Sequence, residues 1–147
     1  MKALVALLLA AALGAPVIQT DDFASWDNPL DWWPAFLEQV LEPLAAGAPA
    51  RFRPSSWGGP ERDPVEIRPG PFVVVEGVTA SRAAFRPYLA FAIWVDAPRD
   101  VRLARGVARD GEQMRARWEE WMAAEDDWVE RERPAEHADV VLAGGVW

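Results

Sequence analysis

The stretch Phe-Val-Val-Val-Glu-Gly at positions 72–77 decides how the rest of the chain is interpreted. Pro-Gly-Pro at 69–71 separates its apolar residues from the preceding chain, which predicts a short strand buried on both faces, as in a parallel sheet. A carboxylate at the end of such a strand lies where open α/β sheets bind their ligands. Gly77 allows a sharp turn there. Taken alone, the stretch slightly favours the plainer interpretation that Glu76 is the solvated end of a core strand.

The composition is that of an ordinary soluble domain. The 147 residues are 51% hydrophobic and 26% charged, which predicts a single domain over residues 1–147. The net charge of -8 and the scattered basic residues indicate no basic surface of the kind that binds nucleic acid. A local arginine cluster can still bind a small anion. The absence of cysteine excludes disulfides and thiolate metal sites, and a single histidine excludes a His-rich zinc site.

The N-terminal segment has two interpretations. Met1 and Lys2 precede an apolar run over residues 3–13 and then Gly14, which is the outline of a secretory signal peptide over about residues 1–15. The run is too short to span a bilayer. The alternative is a buried helix that ends at Gly14, with Pro16 preventing its continuation. The segment by itself favours the signal peptide, and the rest of the chain favours the helix.

A second short strand ends in carboxylates. Val-Ile-Gln-Thr at 17–20 is followed by Asp21 and Asp22, so two predicted strands place acids at one edge of a sheet. Asp21 has the chemistry of a general base or of a metal ligand acting through water. Asp22 can do either or cap the following turn. Ordinary turn chemistry explains an Asp pair after a strand equally simply.

Arginines follow another predicted strand. The apolar run ending at Val95 continues into Asp-Ala-Pro at 96–98, which opens a helix with Arg102, Arg105 and Arg109 at spacings of three and four. This spacing places the three guanidinium groups on one helix face. This arrangement predicts a phosphate chain as the ligand, because guanidinium groups bind phosphate oxygens in bidentate fashion.

The remaining chain supplies helices, short strands and one long loop. Helices are predicted over 31–46 and 112–133, and strands over 51–53, 64–68, 88–95 and 138–143. Trp26 is expected to be exposed, given its polar neighbours. In the loop region, Phe52 and Trp57, beside Arg51 and Arg53, suit either stacking on a planar base or anchoring of the loop to the core. The element order predicts a mostly parallel sheet wrapped by helices.

The order of these features resembles the P-loop nucleoside and nucleotide kinases, especially uridine-kinase-like proteins. The matching stretches cover nearly the whole chain and are Thr-Asp-Asp-Phe at 20–23, Val-Val-Val-Glu-Gly at 73–77, Val-Asp-Ala-Pro-Arg-Asp-Val-Arg-Leu-Ala-Arg at 95–105, Arg-Asp at 109–110 and Ala-Asp-Val-Val-Leu at 138–142. The resemblance implies a three-layer α/β fold, a parallel sheet flanked by helices. It also implies an ATP-dependent phosphotransferase that uses Mg²⁺ and a small, nucleoside-like hydroxyl acceptor.

The resemblance also implies roles for individual residues. Asp21 would position and deprotonate the acceptor hydroxyl, and Glu76 would assist the magnesium ion. The helix arginines would stabilise the phosphate chain and the transferring group. The full set of implied residues is catalytic Asp21, Arg102, Arg105 and Arg109; ATP-binding Lys2, Arg105 and Arg109; acceptor-binding Asp22, Phe52, Arg53 and Trp57; and metal-binding Glu76.

The sequence departs from the family at its start. The first strand and the loop Gly-x-x-x-x-Gly-Lys-Ser/Thr, whose amides cradle the phosphates, do not occur, and only Lys2 falls on a position of that loop. The missing strand is central in this family, so a gap is expected between the strands that begin near Phe72 and Phe91. The sheet would then lack its first, central strand.

Three explanations compete: a start codon assigned too far downstream, a truncated and inactive relative, and a secreted protein. The first is favoured, which predicts a cytoplasmic kinase whose present chain is weakly active or inactive. The alternative is a non-catalytic remnant or a secreted small binding domain with residues 1–15 as signal peptide. A sheet without its middle strand also raises the prospect of a homo-oligomer.

Overall fold

The computed structural model describes residues 2–143, which form helices and short strands. The helices are α1 (Lys2–Leu13), α2 (Trp33–Phe36), α3 (Glu42–Ala45), α4 (Arg99–Asp110) and α5 (Arg115–Glu132). The strands are β1 (Val17–Gln19), β2 (Ala50–Phe52), β3 (Val65–Ile67), β4 (Val74–Glu76), β5 (Ile93–Asp96) and β6 (Val140–Ala143). The initial helix and strand, and the two helices before the last strand, agree with the element order that the sequence predicts.

The strands form three pairs rather than one continuous sheet among the described residues. β1 and β4 are parallel, with Val17 opposite Val74, and β5 and β6 are parallel, with Ile93 opposite Val140. β2 and β3 form a separate antiparallel pair. Parallel pairing across long connections confirms the prediction of a parallel α/β arrangement.

The helical segment between residues 33 and 45 is continuous but not uniform. A π-helical stretch, Leu37–Leu41, joins α2 to α3, and Glu42 donates its N–H to the carbonyl of Leu37, one residue beyond the α-helical partner. Pro43 follows at once, and its missing N–H interrupts the α-helical ladder. The widened turn accommodates that interruption and keeps Val40 and Leu41 buried.

The hydrophobic core is largely aromatic. Phe36 and Phe85 are fully buried with ring centroids 5.1 Å apart, and Phe23 meets Phe36 edge-on at 5.0 Å. Trp32 joins them and is 4% exposed. Edge-to-face and tilted contacts at these distances are favourable beyond the area they bury. This cluster, together with Ile18 of β1, fixes the end of the strand from which Asp21 emerges.

Three predictions about local structure are wrong. β4 begins at Val74 rather than Phe72, is only half-buried and leaves Phe72 53% exposed, because it pairs on one edge only. Tyr88 lies in a single helical turn, and the next strand starts at Ile93. Trp26 is not exposed, because it packs edge-on against three other tryptophans.

The N-terminal apolar run is helical, as one of its two interpretations predicts. α1 buries Ala6 and Ala10 and leaves Leu4, Leu7 and Leu8 exposed. Gly14 follows with φ 61°, the left-handed conformation that ends a helix. No helix within residues 2–143 combines the length and the apolar character needed to cross a membrane.

Candidate active site

A cavity of about 1500 Å³ lies between the two parallel strand pairs, and we call it the central cavity. Its walls come from α1, β4, β5, α4 and α5. The sequence-predicted residues that line it are Lys2, Asp21, Trp57, Glu76, Arg102, Arg105 and Arg109. Residues separated by more than one hundred positions in the chain therefore share one concave surface, which is where small-molecule sites usually lie.

Asp21 lies in a single 3₁₀ turn, Thr20–Asp22, directly after β1. The neighbouring Thr20 is fully buried, and its hydroxyl donates to the carbonyl of Val78 at 3.0 Å, which ties this turn to the chain leaving β4. The indole N–H of Trp57 donates to the backbone carbonyl of Asp21 at 3.1 Å. The backbone of Asp21 is thus held from two sides, while its carboxylate stays exposed at the cavity.

Glu76 ends β4, beside Asp21. Its Oε1 accepts a hydrogen bond from the side-chain amide of Gln19 at 3.1 Å, whereas its Oε2 is buried without a hydrogen-bond partner among the described residues. Burial raises the pKa of Glu76 above its ordinary 4.5. The charge of Asp21 acts in the same direction, and Lys2 opposes both. An unpartnered, partly desolvated carboxylate oxygen is a ready acceptor for a cation.

The arginines of α4 do not form three equivalent free cations. Arg102 is engaged by α5, with Nη1 2.9 Å from Oε2 of Glu125 and Nη2 3.0 Å from Oδ1 of Asp126. Arg105 is exposed at the cavity and makes no ion pair within residues 2–143. Arg102 is therefore already neutralised, because α5 packs its acidic residues against this face of α4.

Arg109 is neutralised as well. Its Nε and Nη2 donate to the two carboxylate oxygens of the neighbouring Asp110, at 2.8 and 3.0 Å. Its guanidinium carbon lies 5.3 Å from the ring centroid of Trp118. The hydrogen bonds with Asp110 raise the pKa of Arg109, and Asp21 contributes in the same direction. The same pair, helped by the indole N–H of Trp118 at 3.0 Å, lowers the pKa of Asp110. Arg109 nevertheless stays at the cavity, close to Asp21.

Three of the predicted acceptor-binding residues lie away from the central cavity. Phe52 is 6% exposed and packs on Phe23 in the core, so its prediction as a ligand-stacking residue is not supported by its position. Arg53 bonds the carbonyl of Arg62 at 2.7 Å. Asp22 pairs with Arg62 at 2.7 Å. These contacts fold the loop after β2 onto the turn at Asp21. Only Trp57 reaches the cavity.

An aromatic wall beside Asp21 was not predicted. Trp26, Trp57, Trp118 and Trp121 meet with centroid separations of 5.5 to 6.4 Å, and all four line the cavity. The sequence shows the tryptophans of α5 at helical spacing, which indicates packing, and gives Trp26 polar neighbours. Neither signal predicts that these four side chains meet, because Trp26 and Trp57 lie far in the chain from Trp118 and Trp121.

The site has the donors for one hard cation held jointly with a ligand, but not for a metal cage. No group of three or more His, Cys, Asp or Glu side chains within residues 2–143 is placed to hold a metal. Mg²⁺ is commonly bound by one or two carboxylates, with phosphate and water oxygens completing its octahedron. The free Oε2 of Glu76 and the neighbouring Asp21 fit that mode.

The raised pKa of Glu76 gives a stability prediction. In the window from 4.5 up to the raised pKa, the folded protein binds more protons than the unfolded chain, so the unfolding free energy falls as pH rises. We expect Glu76→Gln to lose this pH dependence and to gain stability relative to wild type above the window. Urea denaturation in metal-free buffer measures the unfolding free energy of both proteins across roughly pH 4 to 8, which extends from the ordinary carboxyl pKa to above that of histidine. Parallel curves would contradict the assignment.

Comparison with known proteins adds one structural relative. No protein-family model matches the sequence, and no curated protein matches it either. A solved structure described as a possible uridine kinase from Bacillus stearothermophilus is similar in fold, with a TM-score of 0.70 and 21% sequence identity over 96% of this chain and 81% of that chain. The expectation of a kinase-like α/β fold is thereby confirmed, and at this identity the likeness concerns the fold alone.

Proposed function

We propose that this protein is an ATP-dependent phosphotransferase that phosphorylates a hydroxyl group of a small, nucleoside-like acceptor. The observation that carries the proposal is the meeting of Asp21, Glu76, Lys2 and Arg105 at one cavity, next to Arg109. Phosphoryl transfer needs positioned reactants and neutralised charge more than covalent chemistry from the protein. The carboxylates and the cations that share this cavity supply those two requirements.

Asp21 is proposed as the base that accepts the acceptor's hydroxyl proton. Its carboxylate is exposed to the cavity, and its backbone is held by Trp57 and by the buried turn at Thr20. A base held in this way needs little reorganisation when the acceptor binds. The aromatic wall beside it offers a planar surface for a base-like acceptor, with Trp57 both lining the wall and positioning Asp21.

The phosphate chain is proposed to bind the cations that line the cavity. Arg105 is the arginine of α4 that meets the cavity without an ion pair in the described part of the chain, so it is the strongest candidate. Lys2 sits near Glu76 and contributes a second positive charge. Arg102 and Arg109 would have to exchange Glu125, Asp126 or Asp110 for phosphate oxygens, which makes them weaker candidates in this conformation.

Glu76, with Asp21 beside it, is the proposed carboxylate partner of Mg²⁺. When bound, Mg²⁺ would neutralise phosphate charge and orient the transferring group. Glu76 itself would present its free Oε2 to the ion and keep Oε1 on Gln19, which fixes the rotamer of the carboxylate. Its raised pKa means that proton and cation compete for this group, so the affinity for Mg²⁺ should rise with pH.

We also propose that the central cavity marks a missing central strand of a three-layer sheet. The two parallel pairs flank the cavity without pairing with one another in the described residues. The sequence carries no Gly-x-x-x-x-Gly-Lys-Ser/Thr loop, so the amide cradle for the phosphates is absent from residues 1–147. Weak nucleotide binding by this chain follows.

The test is phosphate transfer from radiolabelled ATP to a panel of nucleosides with Mg²⁺, beside ATP affinity measured by calorimetry. We expect ATP affinity weaker than about 1 mM (about -4 kcal/mol) and slow transfer. Asp21→Asn should lower that transfer by about 10²- to 10⁴-fold while ATP affinity stays unchanged.

Asp63→Asn is the matched control, because this exposed carboxylate removes the same charge away from the cavity. It should leave both quantities unchanged. Equal loss of transfer and ATP affinity in Asp21→Asn would remove Asp21 from the role of base. Micromolar ATP affinity would show that the phosphates do not need the missing loop.

A second candidate function is a non-catalytic binding domain for a planar small molecule. The paired state of Arg102 and Arg109 and the four-tryptophan wall favour it. It predicts nucleoside binding that quenches tryptophan fluorescence without any phosphate transfer.

The alternative with residues 1–15 removed as a signal peptide is less favourable, because it would delete α1, which packs its buried Ala6 and Ala10 against the rest of the fold.

A further inference from the structure

The loop between β2 and β3, residues 53–64, is fastened to the turn that carries Asp21 by three contacts. The backbone N–H of Ser55 donates to the carbonyl of Asp22 at 2.6 Å. The indole N–H of Trp57 donates to the carbonyl of Asp21 at 3.1 Å. The third contact joins side chains, with Nη1 of Arg62 2.7 Å from Oδ1 of Asp22. Two consecutive carbonyls and one carboxylate of the turn are therefore held by the loop.

Arg62 also closes this loop on itself. Its Nη1 donates to the carbonyl of Ser55, seven residues earlier, at 3.3 Å. Its own carbonyl accepts from Nη1 of Arg53 at 2.7 Å. The stretch 58–64 is exposed, and it reaches the turn through the bond from Arg62 to Asp22. Arg62 therefore joins the two ends of the loop to each other and to the turn.

Trp57 lies between those two ends and has a strained backbone. Its φ is 54°, in the left-handed region that residues with a Cβ seldom adopt. Such a conformation persists only where the surroundings hold it. The ring meets those of Trp26 and Trp121, with centroids 5.7 and 5.8 Å away, and Arg62 closes the chain around it. Closure of the loop by Arg62 thus helps to hold the indole where it donates to Asp21.

Arg62 and Asp22 act on the site without reaching it. Neither side chain lines the central cavity. The side chain of Asp22 is only 17% exposed, and its carboxylate already pairs with Arg62. Asp22 is therefore connected to the cavity through the backbone that it shares with Asp21, and Arg62 is connected to it through Asp22.

We propose that Arg62 is a positioning residue for phosphoryl transfer. By pairing with Asp22 and closing the loop, it fixes the carboxylate of Asp21 relative to the ring of Trp57, so that a planar acceptor on that ring presents its hydroxyl group to the base. Misplacing a reacting group by about 1 Å costs about 10²-fold in rate. The inference rests on the proposed function, because the placement of Asp21 affects the reaction only if Asp21 is its base.

The first test compares phosphate transfer by Arg62→Ala, Arg62→Lys and Arg51→Ala in the whole chain. Radiolabelled ATP is used with the nucleoside that wild type phosphorylates fastest. Arg51 pairs with Glu66 at 2.8 Å in the same hairpin, so its variant removes an exposed ion pair without touching the turn at Asp21.

We expect Arg62→Ala to lower kcat by about tenfold or more with the KM for ATP unchanged, since only the placement of the base is altered. Arg62→Lys should recover part of this loss, because an ammonium group can still pair with Asp22, and Arg51→Ala should match wild type. Unchanged kcat in Arg62→Ala, or an equal loss in Arg51→Ala, would overturn the proposal.

Exchange of the indole proton of Trp57 with water measures positioning without any turnover. Its NMR signal is identified by its loss in Trp57→Phe. We expect Arg62→Ala to speed this exchange by at least about tenfold through local opening. The indole proton of Trp32, which is bonded to the carbonyl of Pro29 at 2.8 Å, should exchange as in wild type.

The two protons separate positioning from a general loss of structure. Unchanged exchange at Trp57 in Arg62→Ala, or equal acceleration at Trp57 and Trp32, would overturn the proposal even if transfer fell. A wild-type chain that transfers no phosphate would overturn the proposed function instead, and indole exchange would still decide whether Arg62 holds the turn.

Discussion

Gly77→Ala is expected to be the most damaging small substitution in this chain. Gly77 has φ 131°, a conformation that residues with a Cβ rarely adopt, and an added Cβ would collide with Oγ1 of Thr20 and lie 3.2 Å from its backbone N. Thr20 is fully buried and its hydroxyl is bonded to Val78, so it cannot move aside. Backbone strain and overpacking cost about 1–3 kcal/mol each, so a loss of about 2–6 kcal/mol is expected in chemical denaturation.

Gly47→Ala is the matched control for this prediction. Gly47 also has a positive φ, 73°, but nothing lies within 4 Å of a Cβ added there. It should therefore cost only the backbone term, about 1 kcal/mol. If the two variants were equally stable, the close approach of Gly77 to Thr20 would not be what holds the turn at Asp21 against the end of β4.

The sequence predicts the order of the elements but not how far each is buried. Helix periodicity locates α5 to within three residues at its start and one at its end. Four apolar residues in a row predict that β4 is fully buried, but its burial also depends on whether strands lie on both its edges, which the local sequence does not show. The polar neighbours of Trp26 in the sequence predict exposure, whereas its contacts, Trp57, Trp118 and Trp121, are distant in the chain.

The candidate site shows the same division between local and non-local information. Strand ends in a parallel sheet share one edge, so Asp21 and Glu76 could be placed together from the sequence. Which arginines of α4 are already ion-paired could not be predicted from the sequence. Arg102 is neutralised by acids of α5, and that depends on how two helices pack rather than on the spacing within one of them.

Arg82→Leu is expected to destabilise the fold by about 2–4 kcal/mol. Arg82 is 5% exposed, and its Nη2 donates to the carbonyl of Leu30 at 2.9 Å and to Oγ1 of Thr79 at 3.0 Å. Its guanidinium carbon lies 5.5 Å from the ring centroids of both Trp32 and Trp33. Charged hydrogen bonds contribute about 1.5–3 kcal/mol each and cation–π contacts about 0.5–2.

Removal of the buried charge of Arg82 opposes this loss of stability, because the folded protein no longer has to desolvate a guanidinium group. Burial lowers the pKa of Arg82, which shows that desolvation weighs against the ion, although the charges of Glu132 and Asp31 favour it. Leucine would relieve that desolvation but leave the carbonyl of Leu30 and the hydroxyl of Thr79 without their donor, and an orphaned buried group costs about 1–3 kcal/mol.

Urea denaturation of Arg82→Leu beside Arg105→Leu measures the balance. Arg105 is exposed and makes no ion pair in the described residues, so its variant should stay within about 0.5 kcal/mol of wild type. An Arg82→Leu protein as stable as wild type would mean that desolvation cancels the hydrogen bonds and ring contacts, as happens when some buried ion pairs are replaced. In that case the aromatic core alone would hold the segment around Thr79 beside the central cavity.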